Sequence, residues 1–258
     1  MPKIALITGA SSGLGREFAV QISRIKDAPE EIWAVARREN RLAELKELCA
    51  VPVRPIPLDL TEEESIKRLE DLLKKEQPQI RILINAAGFG KIGKYSEISR
   101  EDTDRMIALN CRAAVDVTLV SLPHMQKGSR ILEICSTSAF QPFPYLNVYA
   151  ASKSFLYRYS RALRVELLGR GIRVTAVCPY WIKNTEFIPR AKDTGGGTAV
   201  RRFPLASRRE TVVKLALSDS RLGLPVSTPG PVCFLHRIAA KLIPSEIMMG
   251  LWALIRRI

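Results

Sequence analysis

Tyr149 and Lys153 lie four residues apart in the run Tyr149-Ala-Ala-Ser-Lys153. On a helix that spacing sets both side chains on one face. A phenol ordinarily titrates at about 10, and a neighbouring ammonium favours its ionised form. A phenol tuned in this way can give a proton to an oxygen or take one back. Taken alone, Y-x-x-x-K is a common pattern and reads as a core residue beside a surface one. Ser136, upstream at the end of an apolar run, changes that reading, because its hydroxyl can hydrogen-bond a reacting oxygen. Ser138 competes for the same role, and Asn110 is a polar residue in an otherwise apolar helical pattern.

A second group of residues suits a nucleotide. Thr8-Gly9-Ala10-Ser11-Ser12-Gly13-Leu14-Gly15 follows the first apolar run and opens a helical one. Gly9 permits a tight turn, while Gly13 and Gly15 let backbone N–H groups and the helix N-terminus approach a pyrophosphate. The spacing is G-x-x-x-G-x-G, and its place after a strand is what gives it weight. The second strand ends in Val35-Ala36-Arg37-Arg38 with no acidic residue to accept from the ribose of NAD. Arg37 instead offers a bidentate guanidinium to a 2′-phosphate, with Arg38 beside it and Arg16 within reach, so the expected cofactor is NADP(H). Asp59 and Leu60, ending the third strand, are placed for the adenine.

The elements that must position these residues alternate. Short apolar runs at 3–8, 31–36, 53–58, 81–84, 130–135 and 172–178 read as strands; 13–25, 41–48, 61–73, 101–125 and 149–168 read as helices. Thr61 and Glu64 form a capping-box pattern. Such alternation predicts an α/β fold, a parallel doubly wound sheet of Rossmann type with helices on both faces. One domain is expected over residues 1–258. After Pro179 the pattern degrades: 184–230, with Thr194-Gly-Gly-Gly-Thr198, Arg201, Arg202, Arg208 and Arg209, reads as a mobile substrate lid. Residues 231–258 read as an apolar, basic helical extension that Pro244 divides, so neither half is long enough to span a bilayer.

Composition narrows the classes. Five cysteines at no metal-ligand spacing and two histidines argue against a disulfide framework or a metal site. The net charge is +14, and residues 187–258 hold 12 Lys/Arg against 4 Asp/Glu. Such a surface suits a phosphorylated ligand or anionic lipid; no nucleic-acid module is visible. The opening MPKIALITGA lacks the regions of a signal peptide, which leads to an expectation of a cytoplasmic protein.

Taken together, Thr8 to Gly15, Asn85-Ala86-Ala87-Gly88, Asn110, Ser136, Tyr149, Lys153 and Pro179 resemble the short-chain dehydrogenase/reductase family in order and spacing over about residues 3–185. The resemblance implies about seven parallel strands and an Asn110-Ser136-Tyr149-Lys153 active site, with Asn110 holding a water in a proton relay. It implies that Tyr149 and Lys153 also touch the cofactor, Lys153 through the nicotinamide ribose, and that Asn85, Ala86, Gly88, Pro179, Ile182 and Thr185 lie along it. A homodimer or homotetramer through the helices at 101–125 and 149–168 is implied as well. Pro179-Tyr180 departs from the family's Pro-Gly, and its usual threonine falls at Asn184, beside Thr185. The layout after Pro179 resembles the hydroxysteroid dehydrogenase and 3-ketoacyl reductase branch. Phe140, Phe143, Tyr145, Leu146, Tyr180, Trp181 and Phe187 are candidate pocket residues, which suits a bulky apolar ketone or alcohol. The alternatives are a nucleotide-sensing regulator on the same fold and a small-ketone or polyol reductase. The C-terminal stretch reads as a lid, a dimer contact or a peripheral membrane contact.

Overall fold

The computed structural model describes residues 1–194 and 205–256; Gly195 to Gly197, Arg201 and Arg202 of the expected lid lie outside them. The chain enters at β1 (Lys3–Thr8), which becomes an interior strand of a seven-stranded parallel sheet. β2 (Glu31–Ala36) and β3 (Val53–Pro57) add on one side; β4 (Gln79–Asn85), β5 (Arg130–Ile134), β6 (Arg173–Val177) and β9 (Val226–Ser227) add on the other. Helices cover both faces, so the strands read as continuous apolar runs. Side chains alternate across β1: Ala5 and Ile7 pack with Phe18 and Ile22 of α1 (Gly13–Ile22), while Ile4 and Leu6 pack with Leu69 and Leu73 of α4 (Glu63–Glu76). Two short helices, α2 (Glu39–Ala43) and α3 (Leu45–Leu48), link β2 to β3.

The helix expected over 101–125 is not one regular element. α5 (Arg100–Ile107) passes through a π-helical turn, Ala108–Arg112, into α6 (Ala113–Ser121). That wide turn carries Asn110, and such bulges mark functional sites more often than chance. α7 (Asn147–Glu166) packs beside it and carries Tyr149 and Lys153 in its first two turns. The capping box at Thr61 does not form: Glu62 holds the N-cap position without a side-chain bond, and Thr61 Oγ1 donates to Asp59 Oδ1 at 2.8 Å.

The expectation of a lid over 184–230 took in too much. β7 (Ile182–Lys183) pairs with β8 (Ser207–Arg208), with α8 (Phe187–Lys192) between them in sequence. Beyond β8 the chain is regular: α9 (Arg209–Leu222) buries Val213, Ala216 and Leu217 against the α1 side of the sheet, and β9 supplies the seventh strand. At two residues, β9 is too short to announce itself as an apolar run. The C-terminal stretch forms α10 (Pro231–Leu242) and α11 (Ser245–Arg256), separated at Pro244.

Candidate active site

Strand order reverses between β1 and β4, and a crevice opens beyond the carboxyl ends of the strands there. One end of it is bordered by Gly9, Ser11, Val35 to Arg38, and Leu58 to Thr61. Gly13, Leu14, Ser136, Tyr149, Lys153 and Pro179 border the other. Ser12, Ala86, Gly88, Phe89 and Arg190 border both, so the crevice is continuous.

At the first end the backbone does most of the shaping. Gly9 has φ +67, and a Cβ there would stand 2.7 Å from the Ala87 nitrogen. A Cβ on Gly15 would fall on the Gly9 carbonyl. Gly15 therefore packs α1 against the turn and is not among the residues bordering the crevice. Where the two ends meet, Gly13 has φ +55 and faces open space at the N-terminus of α1, next to Ser12, which borders both. This is a cradle for an anion with no side chain in its way, and a pyrophosphate fits it.

Four cations were expected or available here, and they divide. Arg38 donates to Ser11 Oγ at 3.2 Å and pairs with Glu186 at 2.9 Å; Glu186 also holds Arg190 at 2.7 Å. Arg37 pairs loosely with Asp59 at 3.4 Å and stays half exposed. Arg16 is corrected: its guanidinium turns to Glu44 at 2.8 Å and does not border the crevice. Burial pushes the Asp59 carboxyl up, but bonds from Thr61 and the Arg37 cation outweigh it and hold it below its ordinary value. Asn85 is corrected too. It is buried behind the crevice, where its Nδ2 donates to Ala114 O at 3.2 Å, Thr118 Oγ1 at 2.9 Å and Glu133 Oε1 at 2.9 Å, tying β4 to α6 and β5.

At the second end, side chains do the shaping. Ser136 lies two residues beyond β5, and its Oγ accepts from Ser138 N at 3.1 Å. Its side chain faces the Tyr149 phenol and favours the ionised form. Burial is the stronger influence, however, and pushes the phenol up to about 12. The downward tuning expected from Lys153 is thus not what the structure has: Lys153 Nζ donates to Ile134 O at 2.7 Å, and burial lowers its own proton affinity. A phenol that keeps its proton at neutral pH is the form that can donate one. The Ser138 hydroxyl is buried at the crevice with no protein partner among the described residues.

Asn110 is fully buried. Its Nδ2 donates to Phe89 O at 2.8 Å and Ser152 Oγ at 3.0 Å, and its Oδ1 accepts from Phe89 N at 3.1 Å. The side chain therefore locks the loop after β4 to α7. Gly88 makes room for it, since a Cβ there would stand 2.8 Å from Asn110 Oδ1.

Phe143, Leu146, Tyr180, Trp181 and Phe187 border the pocket, and so do Ile182 and Thr185, which were expected along the cofactor. Tyr145 and Phe140 do not. Tyr145 adopts φ +65 and its carbonyl accepts from Gly93 N, while the Phe140 ring packs on Tyr157 at 5.5 Å and His236 at 5.9 Å. Sequence reasoning missed three residues. Phe89 follows the Gly88 motif directly. Gly90 is required because a Cβ there would stand 2.6 Å from the Tyr149 ring. Trp252 of α11 borders the pocket and packs edge-on against Phe143 at 4.9 Å; a lone tryptophan in an apolar tail was its faint signal.

Comparison with known proteins agrees with this geometry. A family model described as short chain dehydrogenase matches residues 3–194. Sulfoacetaldehyde reductase 2 of Chromohalobacter salexigens is 33% identical over 230 residues, 86% of this chain and 90% of that one. A short-chain dehydrogenase from Sphingobium yanoikuyae in complex with NADPH superposes with a TM-score of 0.78 at 29% identity, covering 97% of this chain and 95% of that one. The bulky-bulky ketone specific alcohol dehydrogenase from Comamonas testosteroni gives 0.73 at 26% identity, covering 100% and 95%.

Proposed function

The chain belongs to the short-chain dehydrogenase family and is an oxidoreductase of that family, and from that premise we propose that it uses NADP(H) to reduce a bulky apolar ketone to a secondary alcohol, or runs the reverse. The observation that carries the reading is the continuous crevice, with the glycine cradle and Arg37 and Arg38 at one end and Ser136, Tyr149 and Lys153 at the other. The cofactor, when bound, supplies the hydride. The chain's own residues do the rest. Ser136 and the Tyr149 phenol hold the carbonyl oxygen, and Tyr149 gives it the proton. Lys153 steadies the phenolate that results and binds the nicotinamide ribose. Arg37, Arg38 and Ser11 hold the 2′-phosphate, a grip that a planar guanidinium makes well. The solved relative carrying NADPH supports that choice of cofactor.

Phe143, Trp181, Phe187 and Trp252 favour an apolar substrate over a polyol, and the relative named for bulky-bulky ketones points the same way. Trp252 against Phe143 supports a roof role for α11. Exposed Leu119 on α6 and Phe155 and Val165 on α7 support pairing of two copies through those helices.

The test follows cofactor absorbance with NADPH or NADH against steroid-like, 3-ketoacyl, small and sugar-type ketones. NADPH with a bulky apolar ketone is expected to turn over fastest. Tyr149→Phe is expected to lose about 10²–10⁴-fold in kcat. A mutant that retains wild-type turnover removes Tyr149 from the proton step, and a preference for NADH removes the argument from Arg37.

A further inference from the structure

Glu133 lies on β5, next to the Ile134 whose carbonyl holds Lys153. Along a strand, side chains alternate, so Glu133 shares the face of Ile131, which α6 and α7 cover. It is 0% exposed. A lone carboxylate in such a place is costly unless it is paired, hydrogen-bonded or protonated. Asn85 Nδ2 at 2.9 Å and Thr118 Oγ1 at 3.0 Å both reach the same oxygen, Oε1. The other oxygen, Oε2, has no partner among the described residues, and neither has Asn85 Oδ1. Holding β4 to α6 does not call for a carboxyl: Asn85 already bonds Ala114 O and Thr118 Oγ1 without it.

We propose that Glu133 is a positioning residue for the reaction, the buried counter-charge of Lys153, and that it acts through Lys153 on the phenol of Tyr149. Burial pushes the Glu133 carboxyl up to about 7, against the pull of Asn85, Thr118 and the Lys153 cation. Glu133 in turn favours the Lys153 ammonium, which burial disfavours. The carboxyl therefore changes charge near neutral pH. The groups around the pair are Asn85 from β4, Thr118 from α6, Tyr159 from α7, Cys111 from the π-turn, and Cys135 and Cys178 just past the ends of β5 and β6. Burial keeps the Cys111 and Cys178 thiols protonated, so Lys153 is the cation that Glu133 answers.

The coupling can be read without turnover. In the protein without cofactor, the infrared C=O band of a protonated carboxyl, identified by its loss in Glu133→Gln, is expected to titrate with a midpoint near 7. Ordinary carboxyls are ionised well below that. The midpoint should move to higher pH in Lys153→Met, where the opposing cation is gone. A band that disappears in the acid range, or a midpoint that Lys153→Met leaves in place, overturns the proposal. The consequence for turnover rests on the reductase reading. Removing a buried negative charge eases deprotonation of both neighbours, so Glu133→Gln should shift the kcat/KM profile to lower pH. Thr118→Val removes one donor to the carboxylate and should move the Glu133 ionisation upward. A purely structural role would scale the rates and leave the profile where it was; superimposable profiles in an active enzyme overturn the proposal. If the wild type reduces no ketone, the reductase reading fails while the infrared titration still decides the coupling.

Discussion

The two ends of the crevice are built in opposite ways. At the nucleotide end, the decisive positions are those where a side chain is missing. Gly9 and Gly15 let two backbones touch, and Gly13 leaves the N-terminus of α1 open. At the carbonyl end, the decisive positions are large side chains brought together from distant parts of the chain: Phe143 before α7, Tyr149 on it, Trp181 at β7, Phe187 on α8 and Trp252 on α11. A gap can be encoded by a short local motif, because the strand, turn and helix that need it are consecutive. A wall of side chains is encoded only by the tertiary fold.

The sharpest way to break this comparison is to fill the gap. In Gly15→Ala the new methyl meets the Gly9 carbonyl, which is backbone and cannot swing aside. Alanine is favoured over glycine in a helix by about 1 kcal/mol, but overpacking of this kind costs about 1–3 kcal/mol, so the clash wins and urea unfolding should show a net loss. The displaced turn should also weaken NADPH binding on the order of 10²-fold, as misplacements of about 1 Å do. A variant with wild-type stability and wild-type NADPH affinity would show that the close approach is not required.

Side chains enter the nucleotide end only where a choice of cofactor is made. Arg37→Ala with Arg38→Ala removes both guanidiniums and leaves Asp59 and Glu186 without those partners. Two charge-assisted bonds lost, at roughly 1.5 kcal/mol or more apiece, imply about a 10²-fold or larger fall in kcat/KM for NADPH. The value for NADH should stay close to wild type, since it carries no 2′-phosphate. Equal losses with both cofactors would place the arginines in the fold and take them out of cofactor choice.

The same contrast explains what could be read from the sequence. The parallel sheet, the glycine turn and the line of Ser136, Tyr149 and Lys153 were legible because each is a local pattern on a consecutive strand, turn or helix. Arg16 was misread because the sequence shows a cation inside α1 but not that Glu44, at the junction of α2 and α3, takes it. Asn85 was misread because its motif borders the crevice while its own side chain points back into the interior, toward Glu133 and Thr118. The π-turn at Asn110 leaves no mark in an apolar helical pattern, since one extra residue in a turn preserves composition. The stretch 209–227 was taken for part of a lid because α9 follows a glycine- and arginine-rich run and because two residues of β9 carry no periodicity.

The carbonyl end offers the smallest and most discriminating test. Trp252 reaches the pocket from the last helix and meets Phe143 nearly perpendicular, at 88°. An aromatic pair of this kind is worth about 0.5–1.5 kcal/mol beyond its buried area. Trp252→Ala should therefore raise KM for a bulky apolar ketone by roughly 3–10-fold, with NADPH affinity unchanged because the cradle lies at the other end of the crevice. Small ketones, which do not reach the roof, should keep their KM. If bulky ketones instead turn over faster in the variant, Trp252 limits the size of what enters, and α11 acts as a gate over the pocket. If NADPH affinity falls as well, the two ends are coupled through the fold, and the division between a backbone-coded half and a side-chain-coded half does not hold.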